Sequence, residues 1–209
     1  MAAPLYYHIA GSDSGLNKWY IHFEGGGWCT SMEDCYNRSL TFLGSTLNNP
    51  PYRDFTYSYF YNCSSKNPMM YNWNKVFLRY CDGGSFSGNS SAFFENHLLN
   101  FRGKKVREAI FEDLLQNRGL NSSTDVVVSG CSAGGLSTYL HADYVSELLG
   151  ENTKVVALPD SGFFLDYVGI NVNYHIDMKW VFENMNSREG VNKRCIDFYK
   201  GNEEWRCFF

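Results

Sequence analysis

Short hydrophobic stretches with strand-like patterning recur along the chain, and glycine-containing turns follow several of them. Residues 18–24 alternate apolar and polar positions, and residues 75–80 form a compact apolar run. Residues 125–129 and 153–158 are β-branched stretches of similar length. Alternation and β-branched enrichment over four to eight residues are typical of strands. The pattern therefore predicts four β-strands.

Longer segments with helical spacing lie between these strands. Residues 93–117 place apolar side chains such as Val106 and Ile110 at helical intervals, with Gly119 as the expected stop. A second helix is predicted directly after residue 134, whereas residues 30–73 are polar, aromatic and expected to be irregular. Strands that alternate with helices indicate an α/β fold, with a mostly parallel sheet covered by helices on both faces.

The segment at 130–134 reads G-x-S-x-G and joins a predicted strand to a predicted helix. In that setting the pattern is typical of a nucleophile elbow, which presents a serine hydroxyl at the top of an α/β sheet. Ser132 is therefore the candidate nucleophile. The alternative is a glycine-rich strand-to-helix turn with a solvated serine.

A second glycine-rich loop, at 25–27, follows the strand at 18–24. Loops of this kind supply backbone N–H groups to the oxyanion hole of α/β-hydrolases, where a side chain would block the acyl oxygen. We expect Gly26 and Gly27, together with the N–H of Ala133, to form such a hole. The alternative for this loop is a flexible turn.

The sequence gives no complete catalytic triad. In α/β-hydrolases the acid and then the histidine follow the serine. His141 lies nine positions after Ser132 on the predicted helix, which is expected to carry it away from the hydroxyl. His175 has no strand before it and is interpreted as structural. Asp160 follows a strand, but the adjacent Ser-Gly favours a turn in which the aspartate caps its own backbone.

Composition narrows the possible classes of protein. The chain has 209 residues, 44% hydrophobic content and a net charge of −4, which fits a globular domain over residues 1–209 without affinity for nucleic acid. No apolar run is long enough to span a membrane, and neither a signal peptide nor a C-x-x-C zinc motif is visible. Seven cysteines and four N-x-S sequons favour a secreted, disulfide-bonded glycoprotein. No metal or cofactor is expected.

Several segments, in the same order, resemble the pectin acetylesterase and Notum carboxylesterase family. The resemblance covers essentially the whole chain. The segments that carry it are residues 23–29, 71–76, 79–83, 86–88, 129–135, 160–162 and 201–209.

This resemblance implies an α/β-hydrolase-like fold with Ser132 as the nucleophile and Gly26, Gly27 and Ala133 at the oxyanion hole. The family's catalytic Asp and His lie downstream of the segment that resembles residues 205–209. The resemblance therefore implies a partial domain, incomplete at both ends, without its acid and base. Asp160 matches a family position other than the triad acid.

The resemblance also suggests roles for the cysteines. Cys29 and Cys35 are expected to form one local disulfide, and Cys195 and Cys207 another. Cys81 is expected to have lost an upstream partner. Cys131, beside the nucleophile, is expected to be a small buried filler.

The function implied is that of a secreted, monomeric serine carboxylesterase that removes acetyl groups from a polysaccharide such as pectin. Two alternatives remain open at this point. One is a deacylase of a lipidated protein, which needs a deep apolar acyl pocket. The other is an inactive, glycan-binding relative that has lost the downstream Asp or His. In either enzyme, residues 1–209 alone are expected to be nearly inactive.

Overall fold

The computed structural model describes residues 3–55, 58–167 and 172–209, which form strands and helices in alternation. The strands are β1 (Tyr6–Ile9), β2 (Lys18–Phe23), β3 (Asn74–Leu78), β4 (Ser90–Phe94), β5 (His97–Phe101), β6 (Asp125–Cys131) and β7 (Lys154–Asp160). The helices are α1 (Met32–Ser39), α2 (Gly103–Asn117), α3 (Ala133–Leu149), α4 (Val172–Asn184) and α5 (Lys193–Phe198). Short 3-10 turns connect several of them.

A five-stranded sheet with the order β1-β3-β2-β6-β7 forms the centre of the molecule. β1 is antiparallel to β3, and the other neighbouring pairs are parallel. All four predicted strands are present, and the α/β prediction is confirmed. β1 was not predicted, because its four residues are too short to show a clear pattern.

The two faces of this sheet bury different side chains. On one face, Ile21 and Val128 pack with Ile110 and Leu114 of α2 and with Val145 of α3. The opposite face is covered by residues 50–55 and 58–73, which include a 3-10 turn at Ser58–Phe60. The buried residues of that second cluster are Tyr7, Tyr20, Phe55, Phe60, Met70 and Phe77. The aromatic segment between β2 and β3 therefore serves as core.

The predicted helix over 93–117 is wrong in its first third. Residues 90–101 form the antiparallel hairpin β4–β5, and the helix begins only at Gly103. The turn lies at Glu95, which has a φ of 50°. Along β5, Leu99 and Phe101 are buried whereas Leu98 is half exposed, which is the two-residue alternation of a strand. Gly119 follows the helix with a φ of 88°, as expected of a helix stop.

One helix lies inside the region that was expected to be irregular. α1 begins after Ser31, whose hydroxyl accepts a hydrogen bond from the Asp34 N–H at 3.1 Å. Ser31 is therefore the N-cap of α1, and its hydroxyl satisfies one of the backbone N–H groups that have no partner within the first turn. α1 is short and carries few apolar residues, so hydrophobic spacing gave no signal for it.

Both predicted disulfides are present, Cys29–Cys35 and Cys195–Cys207. Cys81 is a free thiol, as is Cys131. The expectation that Cys131 is buried is wrong, because its side chain is exposed at the end of β6. Within the described residues, no helix combines the length and the apolarity needed to cross a bilayer.

Candidate active site

Ser132 lies in a sharp turn between the last residue of β6 and the first residue of α3. Its backbone has φ 58° and ψ −122°, a conformation that residues other than glycine rarely adopt. Such strain in a non-glycine residue is characteristic of functional sites, and of the serine in a nucleophile elbow in particular. The side chain is partly exposed. The strand–turn–helix predicted around this serine is therefore present.

The glycines of the G-x-S-x-G segment are needed because backbone packs against backbone here. A Cβ at Gly130 would lie 2.1 Å from the carbonyl oxygen of Gly134. A Cβ at Gly134 would lie 2.2 Å from the carbonyl oxygen of Phe23 in β2. Both distances are far below van der Waals contact, so neither position accepts a side chain without displacement of the sheet or the helix.

Asp160 supports the elbow through its main chain. Its carbonyl oxygen accepts a hydrogen bond from the Ser132 N–H at 3.1 Å, and it pairs with Cys131 at the end of β7. Its carboxylate accepts from the hydroxyl of Ser161 at 3.1 Å. The Cys131 side chain is exposed, but partial desolvation of the thiol and the negative charge of Asp160 together raise its pKa. The structure thus gives Asp160 a local partner in the turn that the sequence predicted.

The glycine loop leaves β2 directly beside the elbow. β2 and β6 are parallel neighbours with Phe23 opposite Gly130, so the segments that follow them lie side by side. A Cβ at Gly25 would lie 2.2 Å from the carbonyl oxygen of Cys131. Gly26 and Gly27 have φ values of 140° and 66°, which explains glycine at both positions. The glycine loop and the elbow therefore lie side by side at one edge of the sheet.

A buried ion pair fixes the start of this loop. The Glu24 carboxylate accepts from the guanidinium of Arg79 and, at 2.9 Å, from the N–H of Tyr80. Burial raises the pKa of Glu24, against the opposing effects of the Tyr80 N–H and of Arg79. Removing one partner of such a pair leaves a buried charge without compensation, which is strongly destabilising.

Ser85 connects the glycine loop to the elbow. Its hydroxyl accepts from Trp28 Nε1 at 2.8 Å and donates to the carbonyl oxygen of Ala133 at 2.9 Å. Its N–H donates to the Tyr80 hydroxyl at 3.0 Å, and that hydroxyl donates to the carbonyl oxygen of Gly27 at 2.9 Å. Ser85 is fully buried with a φ of 52°. Ser85 lies between two of the segments that resemble the family, 79–83 and 86–88, and no sequence pattern showed its connecting role.

His141 is bonded within the core behind this network. Its Nε2 donates to the carbonyl oxygen of Ser85 at 2.8 Å, and its Nδ1 accepts from the guanidinium of Arg107. Burial, and then the positive charge of Arg107, hold the pKa of His141 well below its ordinary value. Both ring nitrogens are occupied, which agrees with the expectation that the helix carries His141 away from Ser132.

His175 lies on α4 and pairs with a carboxylate. Its Nδ1 is 3.0 Å from Asp166 Oδ1, and its ring is 4.3 Å from that of Trp205. The order Ser132, Asp166, His175 is that of an α/β-hydrolase triad. In the described part of the chain, however, no hydrogen bond joins the Ser132 hydroxyl to this or any other imidazole.

An aromatic group stands beside the glycine loop. The Trp28 ring lies 5.0 Å from Phe164 and 5.6 Å from Tyr174, and Tyr174 in turn meets Phe209. Edge-on contacts of this kind are favourable. Because Trp28 follows the glycines directly, the group forms one wall next to the loop.

A mostly parallel sheet, a strained serine between strand and helix, and a glycine loop on the neighbouring strand define the class of α/β-hydrolase-like proteins. The family model for pectinacetylesterase matches residues 2–209. The chain belongs to the pectinacetylesterase family.

Individual relatives agree with this assignment. The chain is 38% identical to pectin acetylesterase 5 of Arabidopsis thaliana, over 99% of its own length and 48% of that protein. Identity to Arabidopsis pectin acetylesterase 11 is 42%, over 78% of the chain and 41% of the relative. Identity to the palmitoleoyl-protein carboxylesterase notum1a of Danio rerio is 32%, over 99% of the chain and 43% of the relative. The chain thus spans less than half the length of these relatives.

Proposed function

We propose that this chain carries the nucleophile and oxyanion hole of a serine carboxylesterase that acts on acetyl esters of a polysaccharide. The observation that carries the proposal is the strained, positive-φ backbone of Ser132 between β6 and α3. The relatives support it, because the proteins that match are pectin acetylesterases and palmitoleoyl-protein carboxylesterases. Ser132 is the proposed nucleophile, and the N–H groups of Gly26, Gly27 and Ala133 are the proposed oxyanion donors.

The reaction has two steps. Ser132 Oγ attacks the ester carbonyl and transfers its proton to a general base, and the resulting oxyanion accepts hydrogen bonds from the backbone donors. The tetrahedral intermediate then expels the sugar alkoxide, which takes that proton and leaves an acetyl-serine. Water attacks the acetyl-serine in the same way, which releases acetate and restores the hydroxyl. We propose that the base and its acid come from residues outside 1–209.

Acetylated pectin is the proposed substrate class. Identity is 38–42% to the Arabidopsis pectin acetylesterases and 30–32% to the palmitoleoyl-protein carboxylesterases. The second candidate is a long-chain deacylase. The observation that supports it is the aromatic wall of Trp28, Phe164 and Tyr174, because apolar ring faces can pack along an acyl chain.

The test uses the full-length protein and Ser132→Ala. We expect the wild type to release acetate from acetylated pectin and to hydrolyse p-nitrophenyl acetate faster than the longer esters of a chain-length series. Ser132→Ala is expected to lose about 10⁴-fold or more in kcat, because the remaining oxyanion donors cannot replace the nucleophile.

Ser146→Ala is the matched control, since Ser146 is an exposed serine on the same helix. Full activity in Ser132→Ala would overturn the assignment of the nucleophile. A rate maximum at long acyl chains would favour the second candidate. An inert wild type that a fluorophosphonate does not label would favour the inactive glycan-binding alternative.

We further propose that the protein is secreted as a monomeric glycoprotein. The two disulfides support an oxidising compartment. Asn121, in an N-x-S sequon, is exposed on a short 3-10 turn and is accessible to a glycan. A mass decrease of the secreted protein on treatment with an N-glycosidase is the expected result.

A further inference from the structure

The peptide unit between Gly26 and Gly27 accepts a hydrogen bond from an arginine side chain at its carbonyl oxygen. The N–H of Gly27 is one of the proposed oxyanion donors, and the carbonyl of the same peptide unit belongs to Gly26. That carbonyl oxygen accepts a hydrogen bond from Arg38 Nη1 at 2.8 Å. Arg38 lies in the last turn of α1, twelve residues after the peptide that it contacts.

Several contacts hold the Arg38 guanidinium in place. The Cys29–Cys35 disulfide ties α1 to the end of the glycine loop. The guanidinium carbon lies 4.9 Å from the centre of the Tyr80 ring. The Arg38 side chain passes over Gly83, where a Cβ would lie 3.4 Å from both Cδ and Nε.

The two loop carbonyls are therefore fixed by two side chains that contact each other. The Tyr80 hydroxyl, beneath the guanidinium, donates to the carbonyl oxygen of Gly27 at 2.9 Å, while Arg38 holds that of Gly26. Rotation of the Gly26–Gly27 peptide would break the bond to Arg38. Because both glycines have positive φ values and no side chain to restrict them, the bond from Arg38 limits a motion that the backbone itself permits.

Among the residues that the structure describes, the Arg38 guanidinium forms no direct ion pair with a carboxylate. Its Nε and Nη2 atoms are buried and have no hydrogen-bond partner among the described residues. The nearby Asp82 carboxylate is occupied by the N–H groups of Gly84, Phe86 and Gly88. In contrast, the guanidinium of Arg79 is paired with Glu24. Arg38 thus directs a positive charge at the oxyanion peptide, and among the described residues no carboxylate contacts its guanidinium directly.

We propose that Arg38 is a positioning residue for catalysis: it orients the Gly26–Gly27 peptide and polarises it, so that the Gly27 N–H becomes a stronger, preorganised oxyanion donor. This proposal rests on the proposed esterase function. A hydrogen bond to a carbonyl strengthens donation by the N–H of the same peptide unit, and more so when the donor is charged. Preorganised donors aimed at the oxyanion are among the largest contributions to acyl transfer.

The test compares Arg38→Met and Arg38→Lys in the full-length protein with p-nitrophenyl acetate. Methionine keeps an unbranched side chain over Tyr80 but removes the charge and the hydrogen bond. We expect kcat to fall at least tenfold, with KM within twofold of wild type, because the lost interaction acts on the transition state. Lysine keeps the charge without the planar fork and is expected to be intermediate. Arg118→Met, at an exposed arginine after α2, is the control that keeps full activity.

A second readout separates positioning from a purely structural role. A trifluoromethyl ketone forms a tetrahedral oxyanion on the serine, so its inhibition constant is expected to rise in parallel with the loss of kcat/KM in Arg38→Met. Millimolar guanidinium is expected to restore part of kcat in Arg38→Ala but none in Ser132→Ala.

Three outcomes would count against this proposal. A kcat for Arg38→Met within twofold of wild type would overturn it. So would a loss of kcat without weaker inhibition by the trifluoromethyl ketone. A wild-type protein without esterase activity would overturn the proposed function and this proposal together, whereas an active wild type with an indifferent Arg38 would overturn this proposal alone.

Discussion

At the scale of single residues, the candidate site depends on polar side chains that hold backbone carbonyls. Ser85, Tyr80 and Arg38 each donate to a carbonyl oxygen of the elbow or the glycine loop. Backbone donors cannot be replaced by substitution, so the side chains behind them are the part that mutation can test. Loss of such a contact is costly where the groups are buried, because a buried polar group without a partner lowers the stability by about 1–3 kcal/mol.

Ser85→Ala is expected to destabilise the protein and to loosen the glycine loop. The change leaves the indole N–H of Trp28 without its acceptor and removes one of two hydroxyl donors to the Ala133 carbonyl. We expect a loss of about 2 kcal/mol in the free energy of unfolding, measured in urea, with a lower kcat.

Ser137→Ala is the matched control for Ser85→Ala. Its hydroxyl donates to the same Ala133 carbonyl at 2.9 Å but has no bond to the glycine loop. We expect a smaller loss of stability and little change in kcat. Equal loss of kcat in the two variants would show that Ser85 acts only through the Ala133 carbonyl.

His22 is expected to make the protein less stable in acid. Burial among the rings of Phe60 and Phe77 lowers its pKa to about 4, although the negative charge of Asp160 opposes the shift. The unfolded chain binds a proton near pH 6.5, whereas the folded protein resists it until about pH 4. The contribution of His22 to the free energy of unfolding is therefore fully present above pH 6.5. It falls by about 3 kcal/mol as the pH is lowered to 4.

The measurement for His22 is urea unfolding at pH 7 and pH 4, in the wild type and in His22→Gln. Glutamine retains a partner for the Tyr20 hydroxyl, which lies 3.0 Å from His22 Nδ1, but it does not titrate. The carboxyl groups that protonate in this range affect both proteins and cancel in the comparison. If the two proteins lost the same stability between these pH values, His22 would not be the group responsible.

At the scale of elements, sequence pattern predicted those parts of the site that are built from consecutive residues. The strand at 125–129, the turn and the helix after Ser132 form one uninterrupted unit. Glycine is needed there because a Cβ added at Gly130 would lie 2.1 Å from a backbone oxygen. The β4–β5 hairpin was instead predicted as helix, because its apolar residues also fit a helical period. Arg38 and Ser85 could not be found in this way, since their partners lie 12 and 48 residues away.

The two disulfides are expected to differ in what their loss affects. By chain entropy, removal of Cys195–Cys207 costs about 3 kcal/mol and removal of Cys29–Cys35 about 2 kcal/mol, because the second closes a shorter loop. Activity is expected to show the reverse order. Cys29–Cys35 holds α1, and with it Arg38, against the glycine loop.

Paired alanine substitutions of each disulfide, with thermal unfolding and esterase kinetics, test this reversal. The variant without Cys195–Cys207 is the control. That disulfide joins α5 to the 3-10 turn Glu204–Phe208, and neither element includes a residue of the proposed site. A proportional loss of stability and activity in both variants would contradict the assignment of α1 to the positioning of the loop.

At the scale of the whole molecule, the described residues bring the proposed nucleophile and the proposed oxyanion loop to one edge of the sheet. The two segments lie side by side where β2 and β6 end. β7 is the last strand of the sheet on that side, with Val156 and Leu158 partly exposed. The chain also covers only 41–48% of its pectin acetylesterase relatives. These observations are consistent with a base and an acid contributed by residues outside 1–209.

Residues 1–209 expressed alone are therefore expected to hydrolyse p-nitrophenyl acetate at least 10³-fold more slowly than the full-length protein, because a serine without a positioned base loses most of its rate. The comparison includes His175→Ala, since the His175–Asp166 pair is the one imidazole–carboxylate pair after Ser132 among the described residues. We expect His175→Ala to keep the kcat of the full-length protein within about threefold, because its ring packs on Trp205 and, among the described residues, forms no hydrogen bond to Ser132. An ordinary enzymatic rate in residues 1–209, abolished by His175→Ala, would instead make Asp166 and His175 the acid and the base.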